Sequence, residues 1–142
     1  VVDHLHMLVS AVHEGDERRA IDSIMTKLRS LVEETGAGIV LVSHLRRVDG
    51  NKGHENGIEV SLSHLRGSNS IGQLSDCVIA LERNQQSDDM DEARTTKMRV
   101  LKSRYTGHVG MDWRVIYDNE TGRLTELSDE DIEFDDSSDE AF

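Results

Sequence analysis

Residues 1–9, VVDHLHMLV, form an apolar run interrupted only by Asp3, His4 and His6. The run predicts a central strand whose end approaches a site. Gly15 and Asp16 close it, and Asp16 is a suitable helix N-cap. From Glu17 to Thr35 the apolar positions are Ile21, Ile24, Met25, Leu28, Leu31 and Val32. That spacing predicts a helix with one buried face, stopped by Gly36. Residues 38–44, GIVLVSH, read as a strand buried on both faces of a parallel sheet. Strand, helix and strand at these lengths predict a βαβ crossover. The polar stretch 46–61 reads as a loop. A short helix in SNSIGQLSD, a buried strand in CVIALER, a loop in QQSDDMDEA and strands in KMRVLKSR and DWRVIYDN follow, and the turn DNETGR leads into a last short strand. The expected fold is α/β, a mostly parallel sheet flanked by helices with antiparallel strands at the C-terminal end. Sheets of this kind bind ligands outside the C-terminal ends of their strands, where Asp3, His44 and Arg83 fall.

Charge changes this picture at one end. Of the 28 acidic residues, nine lie in 126–142, which holds no Lys or Arg, leaving 19 against all 16 basic residues in the rest. The net charge of −12 is therefore mostly a property of a tail. Such a segment buries too little apolar surface to offset its ordering entropy, so 128–142 is expected to be disordered and 1–127 to form the folded unit. Cys77 is the only cysteine, which excludes an intrachain disulfide and fits a reducing compartment. As the first residue of a strand read as buried, it is expected in the core. No apolar run is long enough to span a membrane. The seven histidines are scattered and lack the Cys pairs of a structural zinc site.

Four segments taken together carry a resemblance: VVDH (1–4), LVSHLRR (41–47), LRGSNSIGQLSDCVIALERNQQ (65–86) and LKSRYTGHVG (101–110). In this order and at these separations the chain resembles the C-terminal, RecA-like motor half of the DnaB-like hexameric replicative helicases. Within that class it is most like the phage bifunctional primase-helicases. The resemblance covers nearly the whole chain, including an acidic tail that ends in an aromatic residue. It implies a cytoplasmic phage protein in a bacterial host. It also implies that the phosphate-cradling motif G-x-x-x-x-G-K-[ST], which this sequence does not contain, lies upstream. The chain is then expected to be a fragment, inactive alone.

The resemblance assigns roles to single residues. Asp3 would hold Mg²⁺ on the nucleotide, ATP or dTTP, because phosphoryl transfer needs a carboxylate-held cation. His44 would sense the γ-phosphate and pass its loss to the following loop. Arg104 would act as an arginine finger in a neighbouring subunit of a homo-hexamer, with Lys102 as a second positive group two residues away. Arg83 and Tyr117 would flank the base of the nucleotide by stacking and cation–π contact, and Gln73 would also touch the nucleotide. Arg46, Lys52, Gly67 and Ser68 would grip single-stranded DNA through its phosphates. Gly72 stands where the phage pattern has a basic residue, which removes a charge from that loop. The tail, through its acids and Phe142, would dock on the replicative DNA polymerase.

Blander readings remain beside each role. Asp3 could cap a turn, His44 could simply end a strand, and Lys97, Arg99, Lys102 and Arg104 could form a solvated basic face. Tyr117 could be core, the 46–61 stretch a surface insertion, and the tail a solubilising end. At the level of the whole protein, a RecA-like recombinase and a polymerase-recruiting module with a degenerate nucleotide site are the alternatives to a helicase.

Overall fold

The longest helix shows most directly how the sequence builds the fold. In α2 (Glu17–Thr35) the carboxylate of Asp16 accepts from the N–H groups of Arg18 and Arg19, at 3.1 and 3.4 Å, satisfying two orphan donors. Gly36 ends the helix with φ 67°, its N–H reaching the Val32 carbonyl at 2.9 Å. This left-handed cap suits glycine. Between these caps, Ala20, Ile21, Ile24 and Met25 are buried along one stripe. The stripe packs on Leu5 and Val9 of α1 (Leu5–Val12) and on Ile71 of α3 (Ser70–Leu74). Each of the large side chains among them contributes roughly 1.5–3 kcal/mol by leaving water.

The structure, a computed structural model, describes residues 1–12, 16–47 and 53–127. After α3 come β1 (Cys77–Glu82), α4 (Met90–Arg94), β2 (Thr95–Ser103), β3 (Asp112–Tyr117) and β4 (Leu124–Glu126). The four strands form one antiparallel sheet in chain order. Among the described residues no helix is long and apolar enough to cross a membrane.

The α/β class and the antiparallel C-terminal strands are present, but several expectations change. Among the described residues the parallel part expected to dominate the sheet is reduced to one bridge, Val2 with Leu41. Residues 1–9 are not a strand: α1 starts at Leu5. A short, mostly apolar run fits either state, and here Leu5 and Val9, one helical turn apart, are the buried pair while Met7 is exposed. Residues 38–44 and β1 are not buried on both faces. Val40 is 63% exposed and Leu81 65%, because among the described residues only one side of each is packed. Cys77 lies on the same open side of β1 and is exposed rather than core. The stretch expected as a loop before β2 holds α4, capped by Asp89 accepting from the Asp91 N–H at 2.8 Å.

Two polar devices fix the pieces that the core leaves loose. Glu82, buried on the inner face of β1, pairs with Arg99 of β2 at 2.5 Å and accepts from the Val60 N–H at 2.7 Å. Arg99 also donates to the Val60 carbonyl at 2.8 Å. The chain around Val60 is thereby tied to the sheet, and the Glu82 carboxylate raises the Arg99 pKa further above its ordinary value. At the other end, Asp76 pairs with Arg29 of α2 at 2.8 Å and with Arg104 at 3.3 Å, joining helix to sheet.

Gly67 has φ 103°, a conformation that side-chain-bearing residues rarely adopt, and a β-carbon there would lie 2.2 Å from Cδ1 of the fully buried Ile21. Ser68 donates its hydroxyl to the Asp22 carboxylate and accepts from the Ser70 N–H at 3.1 Å. The hydroxyls of Ser68 and then Ser70 hold the Asp22 carboxyl below its ordinary value. Residues 67–70 are therefore seated on α2.

Two outcomes follow. Glu82→Ala leaves Arg99 without its buried partner and lowers unfolding stability by roughly 3 kcal/mol in urea titration; a change under about 1 kcal/mol would mean that the pair is not structural. Gly67→Ala combines an unfavourable φ with overpacking against Ile21, and its expected cost is about 2–4 kcal/mol by thermal or urea unfolding. A Gly67→Ala protein as stable as the parent would contradict the packing described.

Candidate functional site

Segment 40–46 meets two others in succession. Val2 donates to the Val40 carbonyl at 2.8 Å, Val42 to Val2 at 2.9 Å, and Leu5 to Val42 at 2.9 Å. Further along, the Arg66 N–H donates to the His44 carbonyl at 3.1 Å and the Arg46 N–H to the His64 carbonyl at 2.8 Å. The first set brings residues 2–5 to one end of the segment and the second brings 64–66 to the other. His44 stands at the junction.

Three imidazoles gather there. The His4 and His44 ring centroids are 4.1 Å apart, and His6 lies stacked 5.6 Å from His44. These histidines are scattered in the sequence but not in space; their spacing along the chain gives no sign that 44 returns to 4 and 6. His44 is exposed, His4 is half-buried, and the His6 side chain is only 12% exposed. Burial, aided by the positive charge of Arg66, lowers the pKa of His6, against the opposing pull of Glu17. Glu17 Oε1 lies 3.3 Å from His6 Nε2 and 3.6 Å from the Arg66 guanidinium. Asp3 directly precedes this group and is exposed. Its carboxylate is the hard oxygen donor that Mg²⁺ requires, whereas the neighbouring imidazoles are nitrogen donors that Mg²⁺ disfavours. Asp3 thus fits the part of one Mg²⁺ ligand.

Arg104 and Lys102 converge on the C-terminal end of α3. The Lys102 ammonium donates to the carbonyls of Gly72, Gln73 and Ser75, at 2.7, 3.0 and 2.8 Å. An ammonium has three donors, so Lys102 is fully used as a cap on α3 and is not the free second charge expected beside Arg104. Arg104 is 42% exposed; it faces Asp76 at 3.3 Å and donates to the Gln73 carbonyl at 3.0 Å. The reading of 97–104 as a solvated basic face also changes, because Lys97 pairs with Asp112 at 2.8 Å and Arg99 with Glu82.

The other expected residues are more dispersed. Arg46 is exposed beside the junction. Ser68 is buried with its hydroxyl committed to Asp22, so its side chain anchors the loop instead of facing a channel. The lack of a side chain at Gly67 is explained by Ile21 rather than by a nearby phosphate. Lys52 and the tail with Phe142 lie outside the described residues. Arg83 follows β1, where the next residue, Asn84, bridges to Asn56. Among the described residues no hydrogen bond or ion pair joins Arg83 to Asp3 or His44. Tyr117 is 43% exposed at the end of β3, so it is not core. Gln73 is exposed on α3, its backbone carbonyl shared by Lys102 and Arg104. Sequence reasoning missed Asp76, Asp22 and Glu17. Asp76 stands within the QLSD run, but its pairing with Arg29 and Arg104 depends on the tertiary fold.

The chain is similar to known proteins. The chain is 45% identical over 124 residues to a DNA helicase/primase of Enterobacteria phage T3, an alignment that takes in 87% of this chain and 21% of that protein. A solved structure of an ATPase domain superposes with a TM-score of 0.66 at 21% identity, over 82% of this chain and 39% of that one, and so supports the fold. The chain thus spans about a fifth of the curated relative and two-fifths of the structural one. The family model of the DnaB-like helicase C terminal domain matches residues 1–126, and the chain belongs to that family.

Proposed function

We propose that this chain acts within a replicative DNA helicase, coupling nucleoside triphosphate hydrolysis to movement along single-stranded DNA. The observation that carries this reading is the junction at His44. Its imidazole lies 4.1 Å from that of His4, the residue after Asp3, while its backbone carbonyl is bonded to Arg66 at 3.1 Å, the residue before Gly67. A change at the phosphate side is thereby transmitted to the loop expected to touch DNA, through a rigid hydrogen-bonded link rather than a long chain.

In this mechanism Asp3 holds Mg²⁺, which when bound neutralises charge on the nucleotide phosphates. His44 donates a hydrogen bond to the γ-phosphate, and its release shifts His44 and the Arg66 backbone bonded to it, against the 67–70 turn seated on α2. Arg46 and Lys52 contact DNA phosphates as exposed cations, and the backbone of 67–68 contributes N–H groups. Arg83, Tyr117 and Gln73 face the nucleotide. Arg104 serves a neighbouring subunit of a hexamer, leaving Asp76 to reach the γ-phosphate charge. Lys102 is a positioning residue, fixing the end of α3 against the strand that delivers Arg104. A phosphate-cradling segment must cooperate with these residues, since the sequence has no G-x-x-x-x-G-K-[ST]. The acidic 128–142 tail, ending in Phe142, recruits the DNA polymerase, and the intact protein carries a primase. Similarity to a protein described as a DNA helicase/primase supports this reading.

Arg104→Ala in the intact protein tests it. Removing an arginine finger is expected to lower kcat for DNA-stimulated hydrolysis by about 10³-fold or more, with nucleotide affinity nearly unchanged. Hydrolysis at the parental rate would contradict a role in catalysis and favour an adaptor.

A further inference from the structure

We propose that His4, His6 and His44 form a binding site for a transition-metal ion of the zinc or cobalt(II) class, separate from the Mg²⁺ expected at Asp3. Each histidine offers a ring nitrogen, and the three nitrogens lie within 4.8 Å of one another. A tetrahedral ion with metal–nitrogen bonds of about 2.0–2.1 Å requires nitrogens roughly 3.4 Å apart, so the rings need close by no more than about 1.4 Å. Side-chain rotation supplies that. The backbone is already set, because residues 2–5 are hydrogen-bonded to 40–42.

The state of the rings points the same way. Nδ1 of His4 and both ring nitrogens of His6 are buried without a hydrogen-bond partner. Buried polar nitrogens are normally satisfied, and unpartnered ones on two of three clustered histidines are what an unfilled ligand site leaves. Glu17 Oε1 lies 3.3 Å from His6 Nε2 but is not aligned for a hydrogen bond. A small rotation lets it accept from Nε2–H, leaving Nδ1 for the ion, the usual carboxylate support of a metal-bound imidazole. Three imidazoles with exposure on the His44 side leave a fourth position for water. Nitrogen donors select zinc, cobalt, nickel or copper over magnesium. An ion here would also hold His44 still. That consequence rests on the phosphate-sensing role proposed above, whereas the site itself does not.

Titration of the intact protein with cobalt(II) chloride, followed by visible absorption, reads the site directly. The expected result is a tetrahedral ligand-field band that zinc chloride abolishes, with affinity weakened at least about 100-fold in His6→Ser. His4→Asn, at a more exposed ring, is expected to show the same loss and stands in if His6→Ser fails to fold by circular dichroism. His54→Ala removes a ring that lies 5.3 Å from His64 and outside the three-histidine cluster, and should bind as the parent does. No band in the parent, or equal affinity in the His4 and His6 variants and the parent, overturns the site. Cobalt binding with hydrolysis insensitive to zinc would keep the site and overturn the role given to His44.

Discussion

Hydrogen bonding along residues 40–46 is the constraint on which the rest depends. This short segment spends its first carbonyl and N–H groups on residues 2–5 and its later ones on 64–66. Without it, Asp3, His44 and the Arg66–Gly67 turn would belong to three unrelated surfaces. The pairing is brief, too brief to form a regular strand, and so it relies on packing around it. Leu41 and Leu65 lie against the same cluster that α2 organises, which holds both neighbours of the segment in place.

Around that junction the fold divides its work between apolar and ionic contacts. The helical side is held by the buried stripe of α2 against Leu5, Val9 and Ile71. The sheet has a thinner apolar share, with Ala80 and Val100 buried, and leans on Glu82–Arg99. Asp76 joins the two sides by facing Arg29 and Arg104 together. A single carboxylate thus bears on both the docking of α2 and the resting position of the arginine proposed to act on a neighbour. Lys102 completes the arrangement by capping α3.

Much of this is legible in the chain. The helix α2 can be read residue by residue, because both caps and a continuous 3.6-residue stripe agree. The strands near the C-terminus are also plain, KMRVLKSR and DWRVIYDN falling on β2 and β3 of the antiparallel sheet. The first nine residues mislead because so short an apolar run, broken by Asp3, His4 and His6, carries no clear period, and tertiary contacts at Leu5 and Val9 decide between strand and helix. The expectation of a core Cys77 fails because, among the described residues, β1 is covered on one side only. The family is legible as a set of motifs, and membership of the DnaB-like helicase C terminal domain family sets the recombinase alternative behind. The geometry of the site is not. Nothing in the spacing of His4, His6 and His44 shows that their rings meet, and nothing around Ser68 shows that Asp22 claims its hydroxyl. Such pairings arise from the path of the chain rather than from local propensity.

The convergence at His44 can be measured without nucleotide or metal. Nuclear Overhauser contacts between imidazole ring protons report separations of a few ångströms in the folded chain. The account predicts a strong contact between His4 and His44, whose centroids lie 4.1 Å apart, and a weaker one between His6 and His44 at 5.6 Å. A folded protein in which neither contact appears would contradict it, because the three segments would then not meet where the structure joins them.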